Sequence, residues 1–264
     1  MRIRTIAGFV AGLALLCGGA AHAALVEKTL QYKHEGATLG GFLVYDDAQS
    51  GARPGVLVIP EWWGLNDYAK GRARQLARMG YVAFAADMYG DGKNTRNPKE
   101  AEAWASEVSA KPGFLAARSK AGLEILRQQA QTDKKRVAAI GFCFGGTALL
   151  NLAYSGESLN GAVVFHANLV APDDKQVKKI KTPILILHGS KDTFTKPEEI
   201  DKLEKSFDAG KVDWYMVKYA NAVHGFTNPD ADRYKIPGMG YNEKAAKRAW
   251  DEMQRYFQEQ FGKK

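Results

Sequence analysis

The segment AIGFCFGG, residues 139–146, sets Cys143 between Gly141 and Gly145 in the pattern G-x-C-x-G. One apolar run, RVAAIGF, precedes it, and a second, FGGTALLNLAY, follows. A thiol in that place has four readings: a buried packing residue, half of a disulfide, a metal ligand or a nucleophile. The chain has two cysteines, and the other, Cys17, falls in an N-terminal segment that reads as removable, so an internal disulfide is not expected. No second thiolate and no close His/Cys pair accompanies Cys143, which argues against a metal, and no visible cofactor is needed. Packing and nucleophilic attack remain. A nucleophile elbow needs small residues around a tight strand–turn–helix, as Gly141 and Gly145 would provide. The N–H of Phe144 would then stand at a helix N-terminus, where it can donate to a developing oxyanion and where the helix dipole favours a thiolate. A phosphate loop would need G-x-G-x-x-G or G-x-x-x-x-G-K-[ST], and neither occurs here.

A thiol or hydroxyl nucleophile needs a base, and the base needs an orienting acid. Four histidines lie beyond the N-terminal segment: His34, His166, His188 and His224. His34 belongs to an early hairpin and reads as a surface residue. His166, in FHAN, ends a strand and reads as packing beside the site. His188, in ILILHGSKD, reads as a satisfied structural histidine. His224 lies in ANAVHGFTNP, a Gly/Asn/Pro-marked loop that follows the strand VDWYMVKY, which suits a mobile base. Asp192, in HGSKD, is the expected acid. Asp87, at the end of YVAFAAD, competes with it and reads as a loop-shaping residue. The order Cys143, Asp192, His224 is nucleophile, acid, base, each closing a separate strand. Glu61, in VLVIPEWWGLNDYA, follows another apolar strand beside Trp62 and Trp63. Its bland reading is a solvated loop carboxylate. Its functional reading is a desolvated carboxyl near the thiol, with the N–H of Trp62 as a second oxyanion donor.

These residues need a scaffold that brings strand ends together. Residues 29–45 read as two strands around a turn at Gly36. Residues 55–60, 81–87, 136–142, 160–166, 182–189 and 212–219 read as strands. Residues 66–79, 98–110, 114–130, 145–154, 197–207 and 242–261 read as helices, with a polar excursion between 166 and 182. The last helix puts Ala246, Ala249, Trp250, Met253, Tyr256 and Phe257 on one stripe. Strand–helix alternation of this kind predicts an α/β fold, a mainly parallel central sheet with helices on both faces. Ligands bind such sheets at the carboxyl ends of the strands.

The chain has 264 residues and a formal charge of +8. Its start, MRIRTIAGFVAGLALLCGGAAHA, has Arg2 and Arg4, an apolar run and an Ala21-His22-Ala23 end. That is the pattern of a signal peptide over 1–23, cut after Ala23, leaving 24–264 as one domain in the periplasm or secreted. The run is shorter than the ~20 residues a membrane span needs, so no membrane attachment is expected after cleavage. The lysines are scattered with no basic–aromatic stripe, which points to small molecules and away from nucleic acid. Nothing in the sequence specifies an oligomeric state.

IPEWWGLNDYA, GFCFGG, HGSKD and HGF, in that order across nearly all of 24–264, resemble the dienelactone hydrolase family. The resemblance implies an α/β-hydrolase fold and hydrolysis of a small-molecule carboxylic ester or lactone through a thioester. By it Cys143 is the nucleophile, His224 the base, Asp192 its orienting acid and Glu61 the modulator of the resting thiol. Trp63, Tyr89 and Phe226 are expected to line an aromatic pocket. The sequence departs from the family at two arginines that hold a substrate carboxylate: Asp91 and Asn228 stand there, with Lys93 or Arg96 as the nearest replacement for the first. Dienelactone itself is therefore not the expected substrate. Two other readings are a binding or redox-responsive relative with a reactive Cys143, and a thioesterase or peptidase on the same fold.

Overall fold

The computed structural model describes residues 24–262. The segment read as a signal peptide lies outside them. Eight strands form one sheet in the order β1-β2-β4-β3-β5-β6-β7-β8. β1 (Leu25–His34) and β2 (Ala37–Asp46) are a hairpin closed at Glu35 and Gly36, both with positive φ. β2 pairs antiparallel with β4 (Val82–Ala85). From there β3 (Arg53–Ile59), β5 (Thr132–Phe142), β6 (Gly161–Phe165), β7 (Ile184–Gly189) and β8 (Trp214–Tyr219) run parallel.

The helices cover both faces, because the central strands are apolar on both sides. In β3, Leu57 and Ile59 join one core and Val56 and Val58 the other. The first core takes residues of α2 (Pro98–Ser109), α3 (Phe114–Gln128), α4 (Phe144–Tyr154) and α6 (Pro197–Ala209). The second takes α1 (Asp67–Arg78) and α7 (Glu243–Gly262). The α7 stripe is as the periodicity predicts: Ala246, Ala249, Met253, Tyr256 and Phe257 are buried, and Trp250 packs at its margin. The polar excursion holds α5 (Asp174–Val177), a single turn with a capping box at Asp173. Among the described residues, no helix is long and apolar enough to cross a membrane.

β4 is shorter than the expected 81–87 because Asp87 turns the chain. Its carboxylate accepts backbone N–H bonds from Gly40, Tyr89, Gly90 and Gly92 at 2.7–2.9 Å. The loop-shaping reading of Asp87 therefore holds, and the acid of the site must come from elsewhere.

Candidate active site

Cys143 closes β5 and opens α4. Its backbone sits at φ 52°, ψ −121°, a conformation costly for a side chain with a Cβ, by about 1–3 kcal/mol. The turn is possible because its neighbours have no side chains. A Cβ on Gly141 would come within 2.3 Å of the Gly145 carbonyl oxygen, and one on Gly145 within 2.2 Å of that of Ile59. The turn is tied to β6 by the Cys143 N–H, which donates to the Phe165 carbonyl at 2.9 Å. The backbone N–H groups of Phe144 and Trp62 have no hydrogen-bond partner among the described residues.

The loops after β7 and β8 bring two more groups to the thiol. His224 Nε2 lies 3.0 Å from Cys143 Sγ, and His224 Nδ1 lies 2.9 Å from Asp192 Oδ2. Asp192 is fixed in turn by the Phe194 N–H, which donates to Oδ1 at 2.9 Å. Burial lowers the affinity of His224 for a proton, but the negative charges of Cys143 and Asp192 outweigh it and hold its pKa above the usual imidazole value. The imidazole lies between the thiol and the carboxylate, within hydrogen-bond distance of each. The His224 loop is pinned rather than mobile. The His224 N–H donates to Gly238 O, and the His224 carbonyl accepts from the Gly240 N–H.

Glu61 follows β3 and is only 2 % exposed. Its Oε2 accepts from Asn228 Nδ2 at 2.6 Å, and its Oε1 has no partner among the described residues. Burial pushes its pKa up to about 7, against the pull of Asn228, His224 and Arg72. Its hydrogen-bond partner is thus Asn228, while the thiol is held by His224. The bland reading of a solvated loop carboxylate is excluded by its burial.

Of the other histidines, His166 and His188 lie near this line. His166 is fully buried, its Nε2 2.7 Å from Thr227 Oγ1, and its ring packs edge-on against His224. His188 is buried but not satisfied, since its Nδ1 lacks a partner among the described residues; burial lowers its pKa. His34 is half-buried, accepting from Arg118 Nε at 3.1 Å, because Phe114 and Arg118 of α3 close over the hairpin end.

The thiol opens into a cavity of about 230 Å³ walled by Trp62, Phe144, Phe194, Met239 and Ala105, with Ser109, Thr147 and Asn168 adding polar groups. The expected aromatic liners are placed elsewhere. Trp63 is fully buried and stacks on Tyr234 at 3.8 Å. Phe226 is core, packed against His166 and Tyr219. Tyr89 supports the wall from behind: its OH donates to the Trp62 carbonyl and its ring packs on Phe144. Phe194, unnoticed in the sequence, stacks on the His224 ring at 4.3 Å. A larger groove of about 660 Å³ between α1 and α7 lies apart from the thiol, lined by Arg72, Arg78, Lys247 and Trp250 among others. Asp91, Lys93 and Arg96 line three further cavities, none of them at the thiol.

A mainly parallel eight-stranded sheet carrying a strained cysteine elbow, with a carboxylate and an imidazole on later strand ends, is an α/β-hydrolase. Residues 39–261 match the model of the dienelactone hydrolase family. The chain belongs to that family and is a hydrolase of its kind. A solved dienelactone hydrolase-like promiscuous phosphotriesterase from metagenomic libraries is 36% identical, with a TM-score of 0.87, covering 89% of this chain and 98% of its own. A solved protein designated m3DLH is 37% identical, with a TM-score of 0.86 and the same coverage. Protein usf of Aquifex pyrophilus is 28% identical over 88% of this chain and 98% of its own length. A protein of Aquifex aeolicus (strain VF5), provisionally named carboxymethylenebutenolidase, is 27% identical over 85% and 94%.

Proposed function

We propose that the protein is an exported hydrolase of carboxylic esters or lactones that works through a thioester on Cys143. The observation that carries the reading is the hydrogen-bonded line from Asp192 through His224 to Cys143 at the mouth of the apolar cavity. The thiolate attacks the substrate carbonyl carbon and a C–S bond forms. Negative charge moves to the carbonyl oxygen, where the free N–H groups of Trp62 and Phe144 serve as donors. Collapse breaks the C–O bond, and the leaving alkoxide takes the proton from the His224 imidazolium. Neutral His224 then removes a proton from water as it adds to the thioester. The second collapse breaks the C–S bond, releasing the acid and restoring the thiolate–imidazolium pair. Asp192 holds the imidazole in the tautomer this needs. Glu61, sharing the electrostatic surroundings of His224, modulates the pair from behind.

The likeness to a promiscuous phosphotriesterase supports a second electrophile for the same thiolate, the phosphorus of a neutral triester. Steady-state hydrolysis of an ester, lactone and phosphotriester panel tests the mechanism. Cys143→Ala and His224→Ala, each with wild-type unfolding behaviour, are expected to lose at least ~10³-fold in kcat. Retained turnover in Cys143→Ala contradicts it. N-terminal sequencing of the protein recovered from a periplasmic fraction tests export, with Ala24 expected first and Met1 as the contradicting result.

A further inference from the structure

The thiol cavity is mostly apolar, with Ser109, Thr147 and Asn168 as neutral polar groups, and among the described residues that line it only the reacting pair is ionisable. No lysine or arginine among the described residues lines it. Lys93 and Arg118 belong to a separate cavity by Trp104, and Arg96 to one by Tyr234. Arg72 donates to the Thr227 carbonyl and to Gln75. Asn228 is engaged by Glu61, a buried carboxyl that shares the surroundings of His224. A substrate carboxylate entering here would lose water and meet only the neutral groups of Ser109, Thr147 and Asn168, with no lysine or arginine to offset its charge, which is costly. A water's share of liquid volume is ~30 Å³, so the cavity has room for on the order of eight heavy atoms.

Resting on the ester-hydrolase reading, we infer that this site selects substrates with an uncharged, apolar acyl group of roughly that size, and that a carboxylate on the acyl chain is a negative determinant. Phe194 is the specificity wall: it is 41 % exposed, lines the cavity and stacks on His224. Short-chain acyl, benzoyl and small neutral lactone substrates fit, and dicarboxylic half-esters do not.

The test compares p-nitrophenyl hexanoate with mono-p-nitrophenyl adipate, which differ at the chain end by a methyl against a carboxylate. The purified enzyme is expected to favour the hexanoate by ~100-fold in kcat/KM, the scale of a polar group leaving water with partial hydrogen-bond compensation. Ser109→Arg puts a cation on the cavity rim, at the exposed last residue of α2, where the helix dipole favours it. It is expected to narrow the ratio at least ~10-fold, mainly through KM for the adipate. Fast hydrolysis of both esters within threefold overturns this inference and leaves the hydrolase reading standing. Hydrolysis of neither, with no acyl group on Cys143, overturns the hydrolase reading and the inference with it.

Discussion

Glu61→Gln is expected to stabilise the protein at alkaline pH and to leave it nearly unchanged in acid. Glu61 is 2 % exposed, and its carboxyl is moved from an ordinary 4.5 to about 7. Each pH unit of such a move is worth ~1.4 kcal/mol, so ionising the buried group costs about 3 kcal/mol. The folded protein holds this proton more tightly than the unfolded chain. The favourable contribution is therefore complete below pH 4.5 and is lost as pH rises through about 7. Gln keeps an amide oxygen for Asn228 Nδ2 and removes the titration. The variant should match wild type near pH 4.5 and exceed it by up to about 3 kcal/mol at pH 8. For a domain of this size that is a Tm rise of roughly 6–12 °C. Thermal unfolding of both proteins at the two pH values reads the difference. An equal difference at both pH values, or a less stable variant at pH 8, refutes the reasoning that burial dominates this carboxyl.

Gly145→Ala reverses the usual preference for alanine in a helix: its Cβ would meet the carbonyl oxygens of Ile59 and Pro60 at 2.2 and 2.4 Å, and a loss of about 3 kcal/mol is expected in denaturant unfolding. Cys143→Ala removes the charge that holds the His224 proton, so the imidazole should titrate lower than in wild type, as followed by NMR. Trp63→Ala empties a fully buried site and should cost about 3–5 kcal/mol without changing acyl-chain preference, measured by unfolding and by a chain-length series. Phe194→Ala should lower kcat/KM about tenfold, because it bares the His224 ring, while Tm stays close to wild type for so exposed a side chain.

The line Cys143–His224–Asp192 was legible in the sequence because each member follows an apolar strand at a Gly-marked turn, and strand ends meet in a parallel sheet. The elbow was legible for a steric reason: Gly141 and Gly145 occupy positions where a Cβ meets backbone. The cavity walls were not. Phe194, Met239 and Ser109 come from two loops and the end of a helix, where periodicity assigns no facing. Trp63 and Phe226 were misplaced because proximity in sequence to a functional residue does not fix side-chain direction. Trp62 and Trp63 are adjacent, yet one lines the cavity and the other stacks on Tyr234 inside the protein. The Glu61–Asn228 bond spans 167 positions and leaves no local signal. The two buried histidines near the site, His166 and His188, were visible as strand-end residues. The partner of His166, Thr227, comes from a loop that only the fold brings near, and His188 Nδ1 has no partner among the described residues.

The central claim is that Cys143 carries the acyl group. Intact-protein mass spectrometry after brief mixing with an activated short-chain ester tests it most directly, in wild type and in Cys143→Ala. A single acyl adduct on wild type, mapped to Cys143, decaying with turnover and absent from the variant, is the predicted result. An adduct of equal extent on Cys143→Ala, or rapid hydrolysis by both proteins, would contradict the account.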